Sequence, residues 1–217
     1  MVVLTRTTVG QKAVMAVTGA VLLLFVTLHM LGNLKAFLGA QALDGYGRWL
    51  REILEPVFGH EGVLWLTRGV LVVCVVLHLV VAAQLTRRAH AARPVGYRHR
   101  VRVQGGYAAR TMRWGGVIIA LFLVYHVLDL TAGVANPHGV PGEIYRNVTA
   151  DFQRWYVVLA YTVAVVALGF HVRHGVWSAL RSLGVARVAP GFALGYAIVL
   201  TAGYLAVPFA VLFGVLR

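Results

Sequence analysis

The sequence predicts an all-α integral membrane protein: five transmembrane helices, four of them forming a bundle, in a single membrane domain over 1–217. Three observations predict it. Hydrophobic residues make up 59% of the 217 and charged residues 12%. The mean hydropathy is +0.77, too apolar for a soluble domain with a polar face. The apolar residues gather in five runs, each near the roughly 20 residues that a bilayer core requires.

The runs cover about 13–34, 63–85, 114–135, 155–180 and 192–216. The first is too long for a cleavable signal, and Gly32, Asn33 and Lys35 follow it without a cleavage site. The second and fourth open near Trp65 and Trp155, and the third at Trp114, where interfacial aromatics belong. The fifth contains Pro208, which membrane helices tolerate. It carries no histidine, which predicts a place outside the bundle. Cys74 is the only cysteine, so an intrachain disulfide, a cysteine-based cluster and c-type haem attachment are all excluded.

A formal net charge of +13 needs an explanation in so apolar a chain. With the N-terminus inside, Arg6, Lys12, Arg87, Arg88, Arg93, Arg98, Arg100, Arg102, Arg110, Arg113, Arg173, Arg181 and Arg187 share the inner face. Asp44, Glu52, Glu55, Glu61, Asp129, Glu143 and Asp151 all fall on or near the outer side, with Lys35, Arg48, Arg51, Arg68, Arg146, Arg154 and Arg217. The excess of basic side chains on one face predicts N-terminus in and C-terminus out. It also replaces a nucleic-acid reading of the charge, since nucleic-acid binders are rich in charge.

Each of the first four spans carries a histidine at membrane depth: His29, His78, His126 and His171. An ionisable group there is costly and points to function, although an interhelical hydrogen bond is the plainer use. Depth can be counted from the inner charges. His29 lies roughly 25 Å from Lys12 and His126 roughly 20 Å from Arg113. His78 and His171 lie roughly 13–15 Å from Arg87 and Arg181. Spans one and three therefore share an outer level, and spans two and four an inner one roughly 10 Å away.

Paired imidazoles at two depths suit two bis-histidine haems. Zinc or copper lacks further ligands at either level. A proton relay would place acids at mid-depth, and Asp129 is the only acid within a span, near its outer end. Gly19 and Gly116 each stand ten residues before the histidine of their span, a weak parallel repeat. His174 shares a face with His171 and either could ligate; His171 is the deeper and is preferred. His60, His90, His99 and His138 read as solvated loop histidines.

These residues carry a resemblance. Residues 8–19, with Gly10-Gln11-Lys12 and Gly19, lead to Leu28-His29-Met30-Leu31-Gly32-Asn33-Leu34. Leu77-His78, Tyr125-His126 and His171-Val172-Arg173-His174-Gly175-Val176-Trp177-Ser178 follow in order. Over essentially its whole length the chain resembles the cytochrome b membrane subunit of succinate dehydrogenase and fumarate reductase, the single-subunit, five-helix, di-haem type.

The resemblance implies two haem b groups, the inner on His78 and His171 and the outer on His29 and His126. It implies a bacterial cytoplasmic membrane, with a flavoprotein and an iron–sulfur subunit docked at the cytoplasmic face. Electrons would pass from FAD through iron–sulfur clusters on those subunits to the inner haem, the outer haem and a quinone, usually menaquinone. Succinate chemistry would occur on a partner subunit. Trimers of complexes occur in the family.

A quinone site beside the outer haem would draw its proton donor from Glu52, Glu55 or Asp129, and His174 would meet a propionate or the docked partner. Some di-haem fumarate reductases carry a glutamate two residues before the fourth ligand, where this chain has Gly169. The compensating proton path that this glutamate serves is then expected to be absent. A haem-free anchor for a soluble enzyme, or another bis-histidine quinone-reactive cytochrome b, are the alternatives.

Overall fold

The computed structural model describes residues 7–92, 105–182 and 189–217. Of the expected inner face, Arg6, Arg93, Arg98, Arg100, Arg102 and Arg187 lie outside the described residues, as does His99. Of the described residues 85% are helical, and none is in a strand. Five helices are long and apolar enough to cross a membrane, a multi-pass architecture.

The first is α1 (Thr8–Asn33). The Thr7 hydroxyl caps it by accepting the Gly10 N–H at 3.1 Å, satisfying one of the orphan donors of the first turn. A 3-10 turn over Leu34–Leu38 and Gly39, at φ +91°, end it. The next three elements are α2 (Ala40–Glu52), the single turn α3 (Glu55–Phe58) and the long α4 (Gly62–Ala91). They are followed by α5 (Gly105–His126), a π-helical turn over Val127–Thr131 and α6 (Ile144–Phe152). Two more membrane helices, α7 (Trp155–Ser182) and α8 (Ala189–Leu212), complete the chain.

Most helices extend beyond their hydropathy runs, but two stop several residues short. The third run was expected to continue to 135, but the helix winds into the π turn at Val127 and ends at Thr131. The fifth was expected to reach 216 and stops at Leu212. There Gly214 takes φ +74°, and the Val215 and Leu216 N–H groups both donate back to the Ala210 carbonyl. Hydropathy sees apolar side chains and is blind to the backbone turn beneath them.

The long helices run antiparallel in two pairs, α1 along α4 and α5 along α7. Among the described residues the two pairs meet with little backbone contact, α1 touching α7 only lightly. The bundle thus has a seam through its middle. At one end, here called the basic end, Gln11 Nε2 donates to Gln84 Oε1 at 2.6 Å, Arg88 donates to Thr8 Oγ1 at 3.4 Å, and Arg113 meets His90 at 2.5 Å.

All seven acids lie toward the opposite, acidic end. There α2 packs on α6. Asp44 accepts the Tyr145 N–H at 2.9 Å, and Gly47 leaves room for the Ile144 side chain. The buried Asp151 pairs with Arg154. Trp65, Trp114 and Trp155 are all more than 60% exposed, as residues at a lipid–water interface would be.

Packing is uneven. In α7, 39% of the most apolar window is buried, against 6% in α4, so α7 is central and α4 presents its flank to lipid. The main core lies toward the acidic end, around Phe152, Val157, Val158, Tyr161, Val207 and Val211. A smaller cluster joins Met30, Val172 and Leu200 at mid-depth.

The fifth membrane helix is not a bystander, as its lack of histidine had suggested. It packs extensively on α7 and also meets α1. Gly169 on α7 and Gly203 on α8 make the approach close: a methyl group at either would collide with Thr201 or with Met30. Without water or a large apolar-transfer term, membrane helices associate through such close packing and through hydrogen bonds. Tyr204 donates to the Val26 carbonyl at 2.6 Å, and the hydroxyls of Tyr196 and Thr27 are hydrogen-bonded.

Candidate cofactor site

Four membrane-depth histidines reach across the seam. The ring of His29 on α1 lies 5.9 Å, centroid to centroid, from that of His126 at the end of α5. The ring of His78 on α4 lies 6.3 Å from that of His171 on α7. Each pair thus joins one helix of each antiparallel layer. His174 does not join a pair; its ring lies 5.6 Å from Trp177.

The vertical spacing is larger than the charge-based count. Gly19 sits beside His78: a Cβ there would lie 3.5 Å from His78 Cε1. A Cβ at Gly116 would lie 4.0 Å from His171 Cε1. Both glycines are ten residues before the histidine of the other pair, so the levels are about 15 Å apart along the helix axis, not 10 Å. The earlier count took the charged residues as a common floor. They stand at different heights, because each long basic side chain can reach the interface from a turn away.

The glycines open lateral space at the basic-end level, one from each layer. Neither touches its histidine more closely than ordinary van der Waals contact. A Cβ on either would narrow the seam where a planar group would lie.

Each pair contains one ring fixed by a hydroxyl. At the basic end, Thr18 is 4% exposed and its hydroxyl stands 3.1 Å from His78 Nδ1. That hydroxyl donates to the Val14 carbonyl at 2.8 Å, so it accepts from His78 Nδ1–H and leaves Nε2 with its lone pair. Its partner His171 has a buried Nδ1 with no side-chain hydrogen bond. The repeat explains the difference. The position before Gly116 that would match Thr18 is Gly115, which has no hydroxyl to offer.

At the acidic end the fixed ring is His126. Its Nδ1 lies 3.1 Å from the Tyr161 hydroxyl, which donates in turn to Asp129 Oδ2 at 3.0 Å. Tyr161 and Asp129 are 6% and 1% exposed. The π turn lies directly after His126 and carries Asp129 to Tyr161. Such turns concentrate at functional sites. The Phe122 ring stacks on His126 at 5.8 Å and meets Tyr161 edge-on at 4.8 Å. Its partner His29 is held by rings, stacked on Phe25 at 5.3 Å and 6.3 Å from Tyr204.

The donor set fits a metal already bound in a plane. Two imidazoles on opposite faces of one ion, each nitrogen about 2 Å away, have centroids about 6 Å apart. Among the described residues no third His, Cys, Asp or Glu completes a metal-binding group at either level. Zinc, which takes four ligands in a tetrahedron, is therefore poorly served. Iron held by a porphyrin needs only the two axial nitrogens.

Of the expected acids, Asp129 alone is linked to a histidine pair. Glu52 and Glu55 are exposed in the connection after α2, where Glu55 lies 3.6 Å from His60. Residue 169, where a glutamate was considered, has no room for a side chain because Thr201 fills it. Thr18, Tyr161 and Tyr204 escaped the sequence reading. A tyrosine ten residues before His171 marks the other histidine level, but nothing in periodicity alone says which helix it faces. No protein-family model, curated protein or solved structure matches this chain.

Proposed function

We propose that this chain is the di-haem cytochrome b subunit that anchors a succinate:quinone oxidoreductase in a bacterial cytoplasmic membrane. The observation that carries the haem assignment is the pair of cross-seam histidine contacts at 5.9 and 6.3 Å, about 15 Å apart in height. The assignment to this enzyme class rests on the ordered motifs around His29, His78, His126 and His171.

His78 and His171 would hold the inner haem, and His29 and His126 the outer. Bound haem supplies a one-electron carrier at each level, so that charge crosses the bilayer along its normal. The protein's own part is to fix the imidazoles. Thr18 and Tyr161 accept from the Nδ1–H of His78 and His126, which leaves Nε2 of each as the ligating nitrogen. Gly19 and Gly116 keep the seam wide at the inner level. The four rings are partly buried among the membrane helices.

The basic end is assigned to the cytoplasm by the excess of Arg and Lys there. It would receive the iron–sulfur and flavoprotein subunits, on which FAD and the succinate chemistry reside, with His174 near that surface. A quinone, usually menaquinone for this type, would react beside the outer pair, with Glu52, Glu55 or Asp129 as proton donor. The lack of a carboxylate at Gly169 fits an enzyme without a compensating proton path. Turnover in proteoliposomes would then be electrogenic, and electroneutral turnover would overturn that point.

A dithionite-minus-oxidised spectrum with haem quantitation tests the core of the proposal. Two b haems per chain are expected; a haem-free protein would leave only the anchor function.

A further inference from the structure

The two fixed histidines differ in what stands behind the hydroxyl. Behind Thr18 is a backbone carbonyl, that of Val14. Behind Tyr161 is the carboxylate of Asp129, almost fully buried. From this we infer that Asp129 is a positioning residue which acts through Tyr161 on His126 and holds the outer haem at a lower potential than its ligands alone would set. The inference rests on the haem reading above.

Hydrogen-bond direction carries it. The Tyr161 hydroxyl donates to Asp129 Oδ2, so its proton points to the carboxyl group. The phenolic oxygen then has a lone pair for His126 Nδ1–H, 3.1 Å away. A hydroxyl whose own proton is drawn toward an anion is a stronger acceptor, and successive hydrogen bonds polarise one another. The imidazole becomes more basic at Nε2, as it does when a carboxylate backs a metal-bound histidine. A more electron-rich axial ligand favours oxidised iron and lowers the potential. His29 opposite is packed against the rings of Phe25, His126 and Tyr204, so the hydroxyl-to-carboxyl chain lies on the His126 side of the pair.

The packing matches a fixed rather than a mobile link. Tyr161 is wedged between Phe122 and Phe152, each at 4.8 Å and nearly perpendicular. Asp129 is committed by the π turn. Asp129 lies in the turn that continues the helix of His126, and Tyr161 lies on α7, which carries His171 of the other pair.

The test is a redox titration of the intact complex in membranes, followed optically and by low-spin haem EPR. Wild type, Asp129→Asn, Tyr161→Phe and the double variant are compared. Asp129→Asn keeps an acceptor of the same shape and removes the charge. Both single variants are expected to keep both haems, to raise the outer midpoint and to leave the inner one in place. The double variant should titrate like Tyr161→Phe alone, because the route is already cut. An unchanged outer midpoint in Asp129→Asn overturns the inference. So does a full Asp129→Asn shift on the Tyr161→Phe background, which would mean that the charge acts directly through space. If Tyr161→Phe empties the outer level, Asp129→Asn still decides by its midpoint and its EPR signature. A wild-type complex without haem would instead sink the proposed function.

Discussion

At the basic end, His78 leans on Thr18 and faces two glycines' worth of open seam; at the acidic end, His126 leans on Tyr161 and Asp129 and faces a wall of rings. Of the helices that line them, α1, α5 and α7 contribute to both levels, α4 to the basic-end one and α8 to the acidic-end one. What differs is the neighbourhood, polar and roomy on one side, aromatic and closed on the other. Haem proteins tune potential through axial ligands, outer hydrogen bonds and burial. If both levels hold haem on two imidazoles each, as proposed, the outer hydrogen bonds and burial are what this chain would use to separate them. The difference thus teaches where a directed electron path would obtain its direction.

Breaking one level outright is the largest test. His78→Leu should remove the inner haem and keep the outer, halving the haem per chain by quantitative pyridine haemochrome. Loss of the outer haem instead would show the pairing to be wrong.

Next in size is Gly169→Glu. It forces a long charged side chain into the space of Thr201, two residues before His171. Overpacking costs about 1–3 kcal/mol, with the burial of a charge in addition. A lower thermal midpoint is expected, with the inner level disturbed before the outer.

A subtler change is Thr18→Val, which keeps the volume and removes the hydroxyl. Losing an outer-shell partner costs about 10–100-fold in metal affinity. Inner haem should then be lost first when the purified protein is challenged with apomyoglobin as a haem acceptor. Equal loss from both levels would erase the distinction drawn above.

Smallest is Tyr204→Phe, which deletes the hydrogen bond to Val26 but keeps the ring beside His29. Such bonds in membrane helices are worth about 0.6 kcal/mol. A slight loss of stability with unaltered haem spectra is expected.

The spans were legible because lipid imposes length and apolarity on a helix whatever its neighbours. The histidine partners were legible for a related reason. Alternate spans run in opposite directions, so counting from Lys12, Arg87, Arg113 and Arg181 sorts four rings into two levels. The height between the levels was not, since an arginine does not mark a fixed depth. Nor were α2 and α6, short amphipathic helices whose partners are each other across about 100 residues of sequence. The role of α8 was hidden because close packing through Gly169 and Gly203 leaves no trace in hydropathy. Tyr161 required knowing which way α7 is turned, a fact of the whole bundle rather than of any window.

The π turn after His126 makes the register of this helix end depend on a single residue. A turn of this kind holds one residue more than an α-helical turn closing the same hydrogen-bonded register, as when the Ala132 N–H returns to the Val127 carbonyl, five residues back. Deleting Leu128 should let the helix rewind as a regular α-helix. His126 would stay in place, while the residues beyond it would rotate by about 100°. The helix would still cross the membrane, but the carboxylate would face away from Tyr161. One residue of length therefore separates a plain helix end from the one found here.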